Sequence, residues 1–287
     1  MLITPDELAA SLDEPDVTVI DCRFDLLNPD AGREAWLAEH IPGAFYADLD
    51  KHLAAPISAD SGRHPLPDPE QFAALLGRWG VTPETRVVAY DASGGAVAAR
   101  LWWLLRWIGH ERIALLDGGF PAWLEARLPV NNVSPQPGQG RYPVNPGCMP
   151  VISADELQLG LADGSLYVVD ARDQARFAGE VEPIDTLAGH IPGANNRPFQ
   201  VNLDATGRFR ARADLYESFG AMAIEEGQRV AAMCGSGVTA CHNLFAMELA
   251  DAWPGNGGQP ALYAGSWSEW IRSGKRPVAG AGQETKL

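Results

Sequence analysis

The chain has 287 residues, 46% of them apolar, and a formal net charge of −15. That length suits two ordinary domains with sizeable cores. The acidic balance argues against nucleic acid or an anionic membrane as partner, and no apolar run of about 18 residues exists to span a bilayer. The opening residues show no basic stretch followed by a long apolar run, so no secretory signal is expected. Cys22, Cys148, Cys234 and Cys241 form no CxxC pair, which argues against a zinc site and a disulfide framework. A cytoplasmic, reducing location is the expectation.

Thr4 and Glu7 form a capping box that opens a helix expected over 5–12. Apolar runs then predict strands at 17–21, 44–47, 86–90 and 113–116. Between and after them, helical patterns cover 33–39, 69–79, 96–108 and 121–126. Alternation of this kind implies an α/β domain whose mainly parallel sheet is flanked by helices. Residues 129–150 are rich in Pro, Gly, Asn and Gln and read as a linker.

Beyond the linker the chain repeats itself. Ile3-Thr4-Pro5-Asp6-Glu7-Leu8 returns as Ile152-Ser153-Ala154-Asp155-Glu156-Leu157, with its capping box intact. Val19-Ile20-Asp21-Cys22-Arg23 returns as Val168-Val169-Asp170-Ala171-Arg172. His40-Ile41-Pro42-Gly43-Ala44 returns as His190-Ile191-Pro192-Gly193-Ala194. A constant offset of about 150 residues over several motifs means two copies of one domain. The organisation expected is a domain at 1–128, a linker at 129–150 and a second domain at 151–287.

The repeat separates fold from chemistry. Residues in both copies, such as Asp21 and Asp170, Arg23 and Arg172, His40 and His190, are expected to hold the fold. Trp267, Trp270 and the Gly119–Trp123 turn are expected to pack helices. Residues in one copy are candidates for chemistry. Arg229-Val230-Ala231-Ala232-Met233 reads as a buried strand, followed by Cys234-Gly235-Ser236-Gly237-Val238-Thr239 and a helix from Ala240. Such a loop curls its N–H groups inward, and the helix N-terminus adds its positive end. Both favour a thiolate, which is the nucleophile. The first copy carries Asp91 where the second carries Cys234.

A tandem domain with HIPGA in both copies and a Cys-Gly-Ser-Gly-Val-Thr loop only in the second resembles the two-domain rhodanese sulfurtransferases, most closely the 3-mercaptopyruvate subgroup. Leu116-Asp117-Gly118-Gly119-Phe120 and Tyr263-Ala264-Gly265-Ser266-Trp267 also fit. The resemblance implies an inactive first domain and a catalytic second one. Cys234 would take sulfur from a small anionic donor as a persulfide and pass it to a thiol, cyanide or thioredoxin. No metal or organic cofactor is implied. The N–H groups of Gly235, Gly237, Val238 and Thr239 would stabilise the anions. Ser236, His64 and Asp50 match the positions of a proton relay. Arg176 matches one arginine that binds the donor carboxylate. The second family arginine falls on Ile184, a departure from the pattern, and Arg197 is the candidate replacement. Gly235 and Ser236 are neutral where the thiosulfate subgroup carries basic residues, which favours a donor with its charge away from the sulfur. Thiosulfate as donor is the alternative, and a non-catalytic rhodanese-like binding module a more distant one. A cysteine phosphatase would need arginine at Ala240.

Overall fold

The computed structural model describes residues 1–138, 140–252, 258–280 and 283–284. They form two compact units. The first comprises Met1–Ala55, Leu66–Cys148 and Leu203–Phe209; the second comprises Pro56–Pro65, Met149–Asn202 and Arg210–Leu287. Each unit thus takes in a short segment that the sequence places within the other's span.

In the first unit five parallel strands lie in the order β1-β5-β4-β2-β3. They are β1 (Leu2–Ile3), β2 (Val17–Asp21), β3 (Phe45–Tyr46), β4 (Arg86–Tyr90) and β5 (Ile113–Leu116). The helices are α1 (Pro5–Ser11), α2 (Ala31–Ala38), α3 (Leu49–His52), α4 (Pro69–Arg78), α5 (Ala98–Trp107) and α6 (Gly119–Glu125). Strand β1 and helix α3 are too short to leave a periodic pattern, and neither is expected from the sequence. The Thr4 hydroxyl caps α1 and Glu7 reaches back to the Thr4 N–H. Val19, Val88, Leu8 and Trp123 share one core cluster.

The second unit repeats the plan with four parallel strands in the order β7-β6-β8-β9. These are β6 (Leu166–Asp170), β7 (Asn195–Asn196), β8 (Arg229–Met233) and β9 (Ala261–Leu262). Around them lie α7 (Ala154–Ala162), α8 (Gln174–Ala178), α9 (Arg212–Gly220), α10 (Thr239–Ala250) and α11 (Ser266–Trp270). An antiparallel pair, β10 (Ala279–Gly280) and β11 (Gln283–Glu284), follows. The alternation of short apolar runs with helices produces this α/β architecture, as expected. Trp267 and Trp270 are fully buried in the core.

The residues common to both copies hold the fold. Arg23 Nε donates to both Asp21 oxygens at 2.9 and 3.1 Å, and Arg172 to Asp170 at 3.0 and 3.1 Å. Each Nη2 also reaches the carbonyl just before the repeated histidine, Glu39 at 2.7 Å and Gly189 at 2.9 Å. The guanidinium planes lie over Phe120 and Trp267. His40 and His190 turn Nδ1 toward the carbonyls of Trp36 and Phe177. So the Asp-x-Arg and HIPGA motifs are two ends of one tie between a strand end and the next turn. Removing one partner of such a buried pair costs about 3–5 kcal/mol.

Candidate functional site

In open parallel sheets, sites form beyond the carboxyl ends of the strands. Central strand β8 ends at Met233, and Cys234 follows with 2% of its surface exposed. Three hydrogen bonds set the loop's shape. The Cys234 N–H donates to Ser266 Oγ at 3.0 Å. The carbonyls of Cys234 and Gly235 accept from the N–H groups of Trp267 and Ser268 at 3.0 and 2.9 Å. With these carbonyls turned toward α11, the next N–H groups are free to face the thiol, and Gly237 N–H donates to Cys234 Sγ at 3.1 Å. Gly237 has φ +78°, and a Cβ there would meet the Ala264 carbonyl oxygen at 2.4 Å, so only glycine fits. Ser266 sits at φ +53°, held by its hydroxyl bond to the Tyr263 carbonyl. Val238 precedes the first turn of α10, which begins at Thr239 and brings its dipole to the loop.

The first unit shows what such a loop does with an anion. Asp91 follows β4 and is fully buried. Its carboxylate accepts four backbone N–H groups, from Ser93 at 2.8 Å, Gly95 at 2.9 Å, Val97 at 2.8 Å and Ala98 at 2.9 Å. The Phe120 N–H holds the Asp91 carbonyl at 2.8 Å, as Trp267 holds that of Cys234. The first copy therefore fills its own cradle with a carboxylate, and the second presents a thiol there.

Ser236 Oγ lies 2.7 Å from His64 Nδ1, and both residues are buried. His64 belongs to the Pro56–Pro65 segment that packs in the second unit. That segment is pinned by the Arg63 N–H to Ser268 Oγ at 3.0 Å and by Arg272 Nη1 to the Ser58 carbonyl at 3.0 Å. A Cβ at Gly62 would meet the Gly265 carbonyl oxygen at 2.4 Å, so glycine permits the close approach. Asp50 lies in the first unit, in the first turn of α3, where its N–H donates to Asp48 Oδ1.

Two arginines border the loop. A Cβ at Gly235 would lie 3.3 Å from Arg63 Nη2 and 3.7 Å from both terminal nitrogens of Arg176. The room for a side chain at position 235 is thus bounded by guanidinium. Asp185 joins the pair, accepting from Arg63 Nη1 at 2.7 Å and Arg176 Nη2 at 3.1 Å. Glu182 accepts from Arg176 at 2.8 to 3.2 Å and from the N–H groups of Ile184 and Asp185. Burial works against the Glu182 charge, but the Arg176 and backbone hydrogen bonds outweigh it and hold its pKa below the ordinary value. Arg63 Nε is buried without a hydrogen-bond partner.

Arg197, the candidate replacement for the arginine missing at Ile184, makes its side-chain bonds away from the Cys234 loop. Its Nη1 donates to Asn202 and Asn243 and its Nη2 to Ser218, while the guanidinium lies 3.8 Å over the Phe219 ring. These partners lie on α9, α10 and a short 3-10 turn, Phe199–Asn202, and none belongs to the nucleophile loop. Burial and nearby Arg210 lower its pKa to about 10. Arg63, by contrast, borders the loop at Gly235, and its adjacency to His64 in the sequence was the available signal. Of the other cysteines, Cys22 is fully buried, and burial together with the charges of Asp91 and Asp21 pushes its thiol well up. Cys241 donates to the Gly237 carbonyl, and Cys148 is exposed. Among the described residues no cluster of His, Cys, Asp and Glu is placed to hold a metal, and no helix is long and apolar enough to cross a membrane.

A family model described as the rhodanese-like domain matches residues 4–126 and again 153–273. A probable 3-mercaptopyruvate sulfurtransferase of Pseudomonas aeruginosa is 48% identical, over 97% of each chain. The human 3-mercaptopyruvate sulfurtransferase is 36% identical over 85% of this chain and 80% of its own. A putative thiosulfate sulfurtransferase of Mycobacterium tuberculosis is 37% identical over 97% of this chain and 96% of its own. Among solved structures, a 3-mercaptopyruvate sulfotransferase of Escherichia coli superposes with a TM-score of 0.78 at 30% identity, covering 93% of this chain and 98% of that one.

Proposed function

The chain belongs to the rhodanese-like family, and on that footing we propose that it is a sulfurtransferase that carries sulfur from 3-mercaptopyruvate, through a Cys234 persulfide, to a thiol or cyanide acceptor. The observation that carries this reading is the cradle itself: a buried thiol sulfur accepting the Gly237 N–H at 3.1 Å, beside a Ser236–His64 hydrogen bond of 2.7 Å.

The Cys234 thiolate attacks the donor's sulfur, forming an S–S bond as the donor's C–S bond breaks. The electron pair of that C–S bond leaves on pyruvate as its enolate. The proton carried by the donor's sulfur is lost as the persulfide ionises, and the enolate carbon takes up one proton. Charge and protons therefore balance within the step. The 2.7 Å contact between Ser236 and His64 supports their moving that proton, and the family resemblance implies Asp50 as a third member of the relay. A thiol acceptor then takes the outer sulfur as its own persulfide and leaves the Cys234 thiolate, which is ping-pong covalent catalysis. Thioredoxin is a protein acceptor of the right chemistry. Four widely spaced cysteines, one of them exposed, suit a reducing compartment such as the cytoplasm.

The donor follows from charge. Arg63 and Arg176 face Glu182 and Asp185, so this group of four side chains is formally neutral. Such a site suits a donor whose single fixed charge is a carboxylate better than thiosulfate, which brings two charges to the sulfur itself. Comparing kcat/KM for the two donors tests the proposal. Mercaptopyruvate is expected to lead by at least about tenfold, roughly 1.4 kcal/mol of transition-state preference. A thiosulfate lead would transfer the assignment to the alternative donor. Failure to find a one-sulfur mass gain on Cys234 after donor treatment would leave a binding module instead. Cys234→Ser is expected to abolish turnover.

A further inference from the structure

We propose that Arg63 is the second arm of the clamp that holds the donor's carboxylate, with Arg176 as the first arm and Asp185 as the residue that positions both. This deepens the proposed function and rests on it. Three observations on different atoms converge. Outside the adjacent residues, the guanidinium ends of Arg63 and Arg176 are the nearest atoms to the empty Cβ position of Gly235, one residue from the nucleophile. One carboxylate, Asp185, bonds Nη1 of Arg63 through Oδ1 and Nη2 of Arg176 through Oδ2. This fixes the spacing of the two guanidiniums, since each long side chain is tethered at one terminal nitrogen. Arg63 Nε is buried and lacks a hydrogen-bond partner in the protein. A buried donor left in that state is costly unless something accepts from it.

The chemistry selects the ligand. A planar guanidinium matches a planar carboxylate through paired N–H groups, and two guanidiniums share its four lone-pair sites. The donor's carboxylate lies a few bonds from its sulfur, which matches arginines beside Gly235 and a thiol at Cys234. The segment 182–185 keeps the clamp in register by another route. Ile184 offers no charge but gives its N–H to Glu182, and Glu182 in turn holds Arg176. The cation absent at position 184 is thus supplied from position 63, on a segment of the first repeat.

The test separates carboxylate recognition from sulfur transfer. Cys234 in the full-length protein is alkylated with iodoacetate, which carries a carboxylate, and with neutral iodoacetamide, and the two rate constants are compared by mass spectrometry. In parallel, KM and kcat are measured for mercaptopyruvate. Arg63→Gln is expected to lower the iodoacetate-to-iodoacetamide ratio by at least about tenfold and to raise KM by a similar factor, the loss of one charge-assisted hydrogen bond. Arg63→Lys, which keeps the charge and can keep the Asp185 pair, is expected to recover the ratio only in part. A ratio and KM within about twofold of wild type in a folded Arg63→Gln protein overturns the proposal, as does full recovery by Arg63→Lys, which would reduce the clamp to simple charge. If the wild-type protein does not turn over mercaptopyruvate, the proposed function fails, and the alkylation ratio still decides whether Arg63 recognises a carboxylate.

Discussion

Gly235→Ala isolates the arginine-lined side of the loop. Gly235 does not occupy the left-handed region, so its backbone accepts a side chain. The new methyl would sit 3.3 Å from Arg63 Nη2, a few tenths of an ångström tighter than ordinary contact, and 3.7 Å from Arg176. The neighbour is the tip of a long side chain and can give way. Removing glycine also narrows the unfolded ensemble, worth about 0.4–1 kcal/mol in favour of the fold. The two effects nearly offset, and thermal melting should move by no more than a few degrees, given about 2–4 °C per kcal/mol at this size. Function should respond differently. A displaced guanidinium lengthens a charge-assisted hydrogen bond worth about 1.5–3 kcal/mol, which is roughly ten- to hundredfold in kcat/KM for mercaptopyruvate. Steady-state kinetics and a melting curve on one preparation check both halves. Unchanged donor kinetics in a stable Gly235→Ala protein would refute the placement of the donor's charge beside this glycine.

Gly237→Ala should behave in the opposite way, losing stability first: the αL penalty of about 1–2 kcal/mol adds to a backbone clash at 2.4 Å, and denaturant midpoints should fall. Asp91→Ala strands four backbone N–H groups and should destabilise the first unit by at least about 3 kcal/mol in urea unfolding. Glu182→Gln should cost stability at neutral pH and little in acid. The folded-state pKa of Glu182 lies below its ordinary 4.5, so its contribution is complete above that value and is lost as pH falls through the folded pKa. Melting temperatures of wild type and variant should therefore converge on acidification below pH 4.5, and a constant gap would disprove the ionic origin.

Local patterns carried most of the fold. Long strands such as β4 and β8 and both capping boxes were legible because each depends on residues within one turn or one strand. Strand β1 was not, because two residues have no period and Leu2 and Ile3 pair with Leu115 and Leu116 far along the chain. The site divides in the same manner. Cys234 stood out because the repeat offered Asp91 as its control, and the cradle around each was implied by adjacent residues. Ser236 has a counterpart in Ser93 of the first copy, yet the two differ: the Ser93 backbone N–H donates to Asp91, whereas the Ser236 hydroxyl meets His64, 172 residues away. Arg197 and Arg63 were indistinguishable by residue type. Only packing separates an arginine buried among amides from one beside the nucleophile.

The membership of Pro56–Pro65 in the second unit bears on why a copy without a nucleophile persists. Arg63 and His64 are encoded between α3 and α4 of the first repeat, yet their partners Asp185 and Ser236 lie in the second. A chain cut at the linker would keep its thiol and lose both residues. The first repeat, whose loop carries Asp91 in place of a thiol, thus contributes Arg63 and His64 to the second unit. Selection on the reaction would act on both halves of the sequence, even though only one bears the reacting sulfur.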